Sequence, residues 1–115
     1  LVFRDKTIPT GQLSNEEKAK KYPQKFGLNH SYPNPFNPVT TITYDLPKNT
    51  SVNLSVYDIK GSRIATLINA SEEGGHKKTI WNGTDDFGRS VSAGVYLCRM
   101  EAGKFKKTRK MLLLK

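Results

Sequence analysis

The fold is decided by residues 40–58, which read TTITYDLPKNTSVNLSVYD. Polar and apolar side chains alternate over residues 41–46, and the alternation returns over residues 51–58 after the turn-forming residues 47–50. Because successive side chains of a strand point to opposite faces of a sheet, this pattern predicts two strands with one buried face each. The buried faces are expected to carry Ile42, Tyr44 and Leu46 in the first strand and Val52, Leu54 and Val56 in the second.

The chain beyond residue 61 repeats this layout of short strands between turns. Strand patterns cover residues 62–69, 77–81, 94–101 and 104–114, with a further short strand around residues 90–92. Glycine-containing turns separate them at residues 60–61, 73–75 and 102–103. Ile64 and Leu67 lie three residues apart, which breaks the period of two and predicts a β-bulge. Six to seven short strands at this spacing predict an all-β fold, an antiparallel β-sandwich.

The first part of the chain differs from the rest in pattern. Residues 1–28 are polar and lack strand alternation, so we interpret them as a linker from a preceding domain, with the β domain over residues 29–115. Ser14 and Glu17 fit a capping box, which predicts a short helix near residues 15–22. No signal-peptide layout is visible at the start, so the chain is expected to be either cytoplasmic or a fragment of a longer secreted protein, and the start without methionine favours the fragment.

Proline is concentrated just before the first strand. Residues 32–38 read YPNPFNP and hold three of the chain's six prolines. Proline fixes its own φ angle, removes a backbone donor and pushes the preceding residue toward extended conformations. We therefore expect a stiff, extended and non-helical segment that leads into the strand at residue 40.

Positive charge is concentrated at the end of the chain. The formal net charge is +9, and residues 98–115 hold seven of the 19 Lys and Arg residues against Glu101 alone. A basic segment of this kind binds nucleic acid, anionic glycans or an acidic protein surface, or it is a solvated face that keeps the protein soluble. Composition does not choose between these interpretations.

Catalytic and metal-binding patterns are scarce in the sequence. Cys98 is the single cysteine, which excludes an internal disulfide and any zinc site built on paired cysteines. His30 and His76 lie in different turns with no nucleophile motif beside them, so we predict no enzyme and no cofactor. Oxygens of Asn82, Asp85 and Asp86 are candidate calcium ligands, but the spacing is not that of an EF-hand. Asx-rich turns that bond their own backbone are the commoner use of such residues.

Several short motifs, taken together and in order, resemble one family. They are YPNPFNP at residues 32–38, TTITY at 40–44, VYDIKG at 56–61, WNGTDDFG at 81–88, SAGVY at 92–96, GKF at 103–105 and KMLLLK at 110–115. This series resembles the C-terminal sorting domain of type IX secretion substrates of the Bacteroidetes, a family similar to the immunoglobulin-like domain of the flagellar hook-capping protein. The resemblance covers about residues 28–115. The chain departs from the family pattern at Asn82, where Asp is more frequent, and at Ala93, where Ser is common.

The resemblance implies a fold and a function. It implies an immunoglobulin-like sandwich that lies behind an N-terminal cargo domain and serves as a non-catalytic export signal. The outer-membrane type IX translocon would read it, and a sortase-like component would cut the chain ahead of residue 29. The cargo would then be attached to anionic lipopolysaccharide or released, which implies secretion to the cell surface of a Gram-negative bacterium. We expect a monomer with no nucleic-acid partner.

The resemblance also assigns the sorting signal to the last two strands. The residues that match it are Gly94, Val95, Tyr96, Gly103, Lys104, Phe105, Lys107, Lys110, Met111 and Lys115. Five of the seven residues 104–110 are charged, which predicts an edge strand. Lysines on an edge block unwanted pairing, and the same edge offers a translocon component a place for strand addition. Trp81 and Tyr96 are expected to fill the core rather than to form a ligand platform.

Two other functions remain open at the level of sequence. An exposed Tyr57 beside the basic strand would suit a carbohydrate- or surface-binding accessory module of a secreted hydrolase. A structural spacer or assembly cap is the third hypothesis, by analogy with the hook-capping relatives.

Overall fold

The computed structural model describes residues 22–115, and every regular element in this range is a strand. The seven strands are β1 (Gly27–Leu28), β2 (Thr40–Leu46), β3 (Thr50–Asp58), β4 (Arg63–Glu72), β5 (Gly75–Trp81), β6 (Gly94–Ala102) and β7 (Phe105–Leu113). The helix expected near residues 15–22 lies outside the described residues except for Tyr22. Within residues 22–115, no helix is long and apolar enough to cross a membrane.

The strands form two sheets, with the orders β1-β2-β5 and β4-β3-β6-β7. Every pairing between strands is antiparallel, so the predicted all-β sandwich is confirmed. The core lies between the sheets and includes the inward side chains predicted for β2 and β3, each at most 1% exposed. The alternation thus places one apolar face of each sheet in the interior. Burial of these apolar faces is the main stabilising contribution to such a fold.

The bulge predicted in β4 is present, and a second one accompanies it. The register between β3 and β4 shifts twice, and the residues of β4 left without an opposite partner are Ile64 and Leu67. These are the two residues whose spacing broke the alternation. Each bulge inserts one extra residue, which bends the strand and changes the direction of the backbone N–H and C=O groups at its edge.

The short strand expected around residues 90–92 does not form. Ser90 makes a single bridge to Thr84, and the neighbouring groups bond within the loop instead. The Val91 amide donates to the Gly83 carbonyl at 3.0 Å, and the Tyr96 hydroxyl donates to the Ser92 carbonyl at 2.6 Å. Because these backbone groups are already hydrogen-bonded within the loop, residues 90–92 do not pair with a strand of either sheet.

Three aromatic side chains close one end of the sandwich. Trp81 lies between Phe36 and Tyr96, with ring centroids 5.6 Å and 5.2 Å away and edge-on or tilted geometry. The Trp81 indole N–H donates to the Thr84 carbonyl at 2.9 Å, so burial leaves no indole donor unpaired. Trp81 and Tyr96 are 1% and 7% exposed, which confirms the prediction that they belong to the core.

The segment at residues 32–38 bends rather than runs extended. Tyr32 makes one bridge to Thr41 in β2, and Phe36 makes one bridge to Leu113 in β7. The backbone bends at residues 33–35 and again at residues 37–38. The extended lead-in expected from the sequence is therefore wrong, and the segment instead crosses from one sheet to the other.

Tyr44 carries a buried polar contact within the core. Its ring is 1% exposed, and its hydroxyl donates to the Glu72 carboxylate at 2.5 Å. Burial, and then the hydrogen bond and negative charge of Glu72, raise the pKa of Tyr44 far above its usual value. The folded state therefore keeps this proton at a pH where the unfolded chain releases it.

Tyr44→Phe is expected to lower the free energy of unfolding at pH 7 by about 1 kcal/mol, because one buried hydrogen bond is lost. In the parent chain, the stabilisation linked to Tyr44 is present below a pH of about 10 and is lost as the pH rises above it. The variant should therefore lose less stability than the parent on the alkaline side. Urea unfolding followed at several pH values measures both effects. Tyr57→Phe is the control, since the Tyr57 hydroxyl makes no hydrogen bond within residues 22–115. If the free energy of unfolding fell equally with pH on the alkaline side for Tyr44→Phe and the parent, the stabilisation could not be assigned to the Tyr44 hydroxyl.

Candidate recognition surface on the last hairpin

The two strands that match the sorting signal form a hairpin at one side of the larger sheet. β6 pairs with β7 over its whole length, from Gly94 opposite Leu113 to Ala102 opposite Phe105. The turn between them contains Gly103, whose φ of 60° lies in the left-handed region that favours glycine. β7 is the last strand in the order β4-β3-β6-β7, as expected for a strand so rich in charge.

The residues predicted to carry the signal divide into a buried and an exposed set. Tyr96 and Met111 are 7% and 0% exposed, so they hold the hairpin to the core and offer no surface to a partner. Phe105 is half-buried and stacks on Phe26 with ring centroids 5.6 Å apart. The exposed members are Val95, Gly103, Lys104, Lys107, Lys110 and Lys115, and Gly94 is half-buried at the start of β6. The predicted set is therefore not one contiguous patch.

The outer face of the hairpin combines apolar and basic side chains. Across the β6–β7 ladder, Leu97 lies opposite Lys110, Arg99 opposite Thr108, and Glu101 opposite Lys106. β3 continues the first of these rows, since Tyr57 lies opposite Leu97. Directly opposite residues share a face of the sheet, so these side chains form cross-strand rows on its solvent side.

A groove of about 540 Å³ follows these rows. Its lining residues are Tyr57, Gly61, Leu97, Arg99, Lys106, Lys107 and Thr108. The Arg99 guanidinium lies 2.9 Å from the Glu101 carboxylate, and both side chains are about two-fifths exposed. An exposed pair of this kind contributes little to stability and is readily displaced. Leu97, Arg99 and Thr108 are not among the individual residues matched to the signal, although the alternation of β6 and β7 places all three on this face.

The outer edge of β7 is closed over its second half by the proline-rich segment. The Asn34 side chain donates to the Lys110 carbonyl and accepts from the Leu112 amide, both at 3.0 Å. Phe36 then continues the pairing, since its amide donates to the Leu112 carbonyl at 3.0 Å and its carbonyl accepts from the Leu114 amide at 2.8 Å. An asparagine side chain and one peptide unit thus satisfy edge groups as an additional strand would.

The side chain of Arg109, in the basic strand β7, is hydrogen-bonded to residues at the start of the domain. Its Nε donates to the Leu28 carbonyl at 2.8 Å, and its Nη1 lies 3.2 Å from Nε2 of His30. Leu28 is 2% exposed and pairs with Tyr44 of β2. Phe26 and Leu28, which the sequence interpretation assigned to the linker, therefore lie against the sandwich. One of the five charged residues at 104–110 has a structural role.

The opposite edge of the same sheet is covered in a similar way. The Asp86 amide donates to the Ile64 carbonyl at 3.1 Å, and the Asp86 carboxylate accepts from the Thr66 amide at 2.8 Å. Ile64 is one of the bulged residues of β4, so the bulge presents its edge groups to the loop. The amide and side chain of Asp86 thus satisfy edge groups of β4, as Asn34 and Phe36 satisfy edge groups of β7.

The other calcium candidates are also occupied by local hydrogen bonds. The Asp85 carboxylate accepts from the amides of Phe87 and Arg89 at 2.9 Å each, and the Arg89 guanidinium lies 3.0 Å away. The backbone hydrogen bond from Arg89 is the main reason why the pKa of Asp85 is lowered. The Asn82 side-chain oxygen accepts from the Thr84 hydroxyl at 2.6 Å. Among residues 22–115, no group of three or more His, Cys, Asp or Glu side chains is placed to hold a metal ion.

The sequence that forms the sandwich and its last hairpin matches a known family. A sequence model described as "Secretion system C-terminal sorting domain" matches residues 30–114. The chain belongs to this family. The sorting domain has no match among curated proteins.

Solved structures with the same fold include two type IX secretion components and FlgD. Latent dimeric PorU of Porphyromonas gingivalis aligns with a TM-score of 0.61 and 19% identity, over 78% of this chain and 9% of PorU. PorZ of the same organism, an essential surface component of the type-IX secretion system, aligns with a TM-score of 0.51 and 20% identity, over 78% and 11%. FlgD of P. aeruginosa aligns with a TM-score of 0.51 and 24% identity, over 64% and 57%. These likenesses concern the fold.

Asn34→Ala is expected to destabilise the sorting domain by about 1 kcal/mol, because two exposed hydrogen bonds to backbone groups of β7 are replaced by bonds to water. The Leu112 amide should also exchange faster with solvent. Hydrogen exchange followed by NMR measures the second effect residue by residue. Asn37→Ala is the matched control, since Asn37 lies in the same motif and makes no side-chain hydrogen bond within residues 22–115. Equal effects of the two substitutions at Leu112 would refute the proposed cover of the edge.

Proposed function

We propose that this sorting domain is the C-terminal address of a larger cargo protein, read by the outer-membrane translocon of a type IX secretion system. The match of the family model over residues 30–114, which takes in all but the first of the seven strands, carries this proposal. The route leads to the cell surface or to release from the cell. The proposal gives the domain no catalytic activity of its own.

The arrangement of the described residues suits an address that stays accessible behind a cargo. Tyr22 lies near Pro47 and Lys48, at the turn that follows β2. β2 begins at Thr40 opposite Trp81, in the end of the sandwich closed by Phe36 and Leu113. The chain therefore enters at one end of the sandwich, and β7 finishes at the other. A cargo attached ahead of residue 22 would leave the far end of the sandwich, including the exposed Lys115, accessible to a translocon component.

The same arrangement suggests where a sortase-like component would cut. Phe26 stacks on Phe105, and the Leu28 carbonyl is bonded by Arg109. A protease needs an extended and accessible backbone, so we place the cut ahead of Phe26. The cargo would then be released or attached to anionic lipopolysaccharide, and the sorting domain would remain as a monomer.

The chemistry of the described side chains is consistent with a non-catalytic role. Burial raises the pKa of the Cys98 thiol to about 12, so the group stays protonated and unreactive at neutral pH. His76 is bonded to the Asp45 carboxylate at 2.9 Å on the solvent side of the smaller sheet, with no nucleophile in that contact. The carbohydrate-binding alternative gains no specific support from these residues. The likeness to FlgD concerns the fold and gives the spacer hypothesis none.

Export of a periplasmic reporter fused to the full 115-residue chain tests the proposal in a type IX host. We expect the reporter to reach the surface, where added protease digests it on intact cells. Deleting β7 would remove the buried Met111 and Leu113 and unfold the domain, so charge substitution is the cleaner variant. A chain with Gln in place of four exposed signal lysines, Lys104, Lys107, Lys110 and Lys115, should leave the reporter in the periplasm.

The matched control carries the same number of Lys→Gln substitutions elsewhere, at Lys25, Lys48, Lys60 and Lys78. It should export as the parent does. Circular dichroism of each purified chain must show the same thermal transition. A folded parent chain that leaves the reporter in the periplasm would overturn the sorting function. Normal export by the signal-lysine variant would remove these lysines from the signal.

A further inference from the structure

The cover over the edge of β7 stops short and leaves a gap. Leu112 directs both its N–H and its C=O away from β6, toward Asn34 and Phe36. In an antiparallel ladder, residues that turn both groups outward recur at every second position. Lys106 and Thr108 therefore also direct their N–H and C=O groups outward. No described residue pairs with these four groups, since the cover begins at the Lys110 carbonyl.

The gap adjoins the groove on the outer face of the sheet. Lys106 and Thr108 line this groove together with Arg99, Leu97 and Tyr57. Both residues of the gap are exposed, so their backbone groups are within reach of a partner. The one acidic side chain in these rows, Glu101, is already paired with Arg99. The surface around the gap is thus positively charged with an apolar floor.

These features favour one kind of occupant. Donors and acceptors spaced along an edge strand match the backbone of another extended peptide and do not match the variable hydroxyls of a glycan. Charge excludes a second copy, because antiparallel pairing would bring Lys106 and Lys107 of each chain against the same basic strand. An acidic peptide satisfies both the backbone groups and the charge.

We propose that the gap is a docking site for an extended acidic segment of a protein partner, which adds to the sheet beside Lys106 and Thr108. Carboxylates of the segment that face the outer side meet Lys106 on the neighbouring strand and the long side chain of Arg99 beyond it. Asn34 and Phe36 set the length of the site, because they occupy the edge from Lys110 onward. The proposal rests on the sorting function only for the statement that the partner is a component of the secretion machinery.

Binding is tested on the purified full chain with a short synthetic peptide of alternating Glu and Thr, followed by amide NMR spectra. We expect shifts at Lys106, Thr108 and Arg99, and slower hydrogen exchange of the Lys106 and Thr108 amides. The affinity should fall as salt is added, because the charges are exposed. The same peptide with alternate backbone nitrogens methylated keeps its charge and loses its donors, so it should bind at least tenfold more weakly.

Variants of the chain separate charge from strand pairing. The double variant Arg99→Glu, Lys106→Glu should abolish binding, whereas Lys48→Glu, Lys78→Glu makes the same change of charge at exposed positions outside the groove and should retain it. Thr108→Pro removes one outward N–H without changing charge and should weaken binding, since proline is tolerated on an edge strand. The methylated peptide keeps the test decisive if the proline variant fails to fold.

Three results would overturn the docking site. They are equal binding of the methylated and unmethylated peptides, equal losses for the two double variants, and binding of a heparin oligosaccharide in place of the peptide. The last result would assign the groove to anionic glycans. None of these measurements involves export, so failure here leaves the sorting function standing, and failure of the reporter assay leaves the docking site standing.

Discussion

The packing of Phe36 is the contact on which the rest of the structure depends. Its ring closes the core against Trp81, while its backbone pairs with Leu112 and Leu114 at the edge of the other sheet. One residue thus joins the interior of the sandwich, the smaller sheet and the terminal strand. The second half of β7 is held by this contact at its outer edge as well as by its pairing with β6. Position and exposure of the candidate surface therefore follow from how residues 34–36 are bound.

Sequence alone predicted the elements whose signal is local. Alternation in β2 and β3, the broken period at Ile64 and Leu67, and the glycine turn of the last hairpin each depend on neighbouring residues, and each is found where expected. Prediction from sequence failed where contacts between residues far apart in the chain determine the local structure. The strand around residues 90–92 is absent because Gly83 and Tyr96 take its backbone groups, and the bend at residues 32–38 follows contacts with β2 and β7.

The candidate surface could be predicted only in part, for the same reason. Charge placed β7 at an edge, and the family resemblance placed the signal on the last hairpin. Neither showed that Met111 would be buried, that Arg109 would be bonded to Leu28, or that Asn34 would cover half of the edge. Some residues that match a family motif thus support the fold and offer no surface to a partner, and burial is the observation that identifies them.

The contacts between the start of the domain and β7 have a consequence for the order of folding. The hydrogen bonds of Asn34, His30 and Leu28 to this strand join residues 76, 79 and 81 positions apart in the chain. Closing such long loops costs entropy that only the completed contacts offset, so these contacts form late in folding. Until the final residues have been delivered, Phe36 and Asn34 lack their partners on β7. The surface of β7 with residues 34–36 bound at its edge therefore forms only after the chain has been synthesised through its last strand.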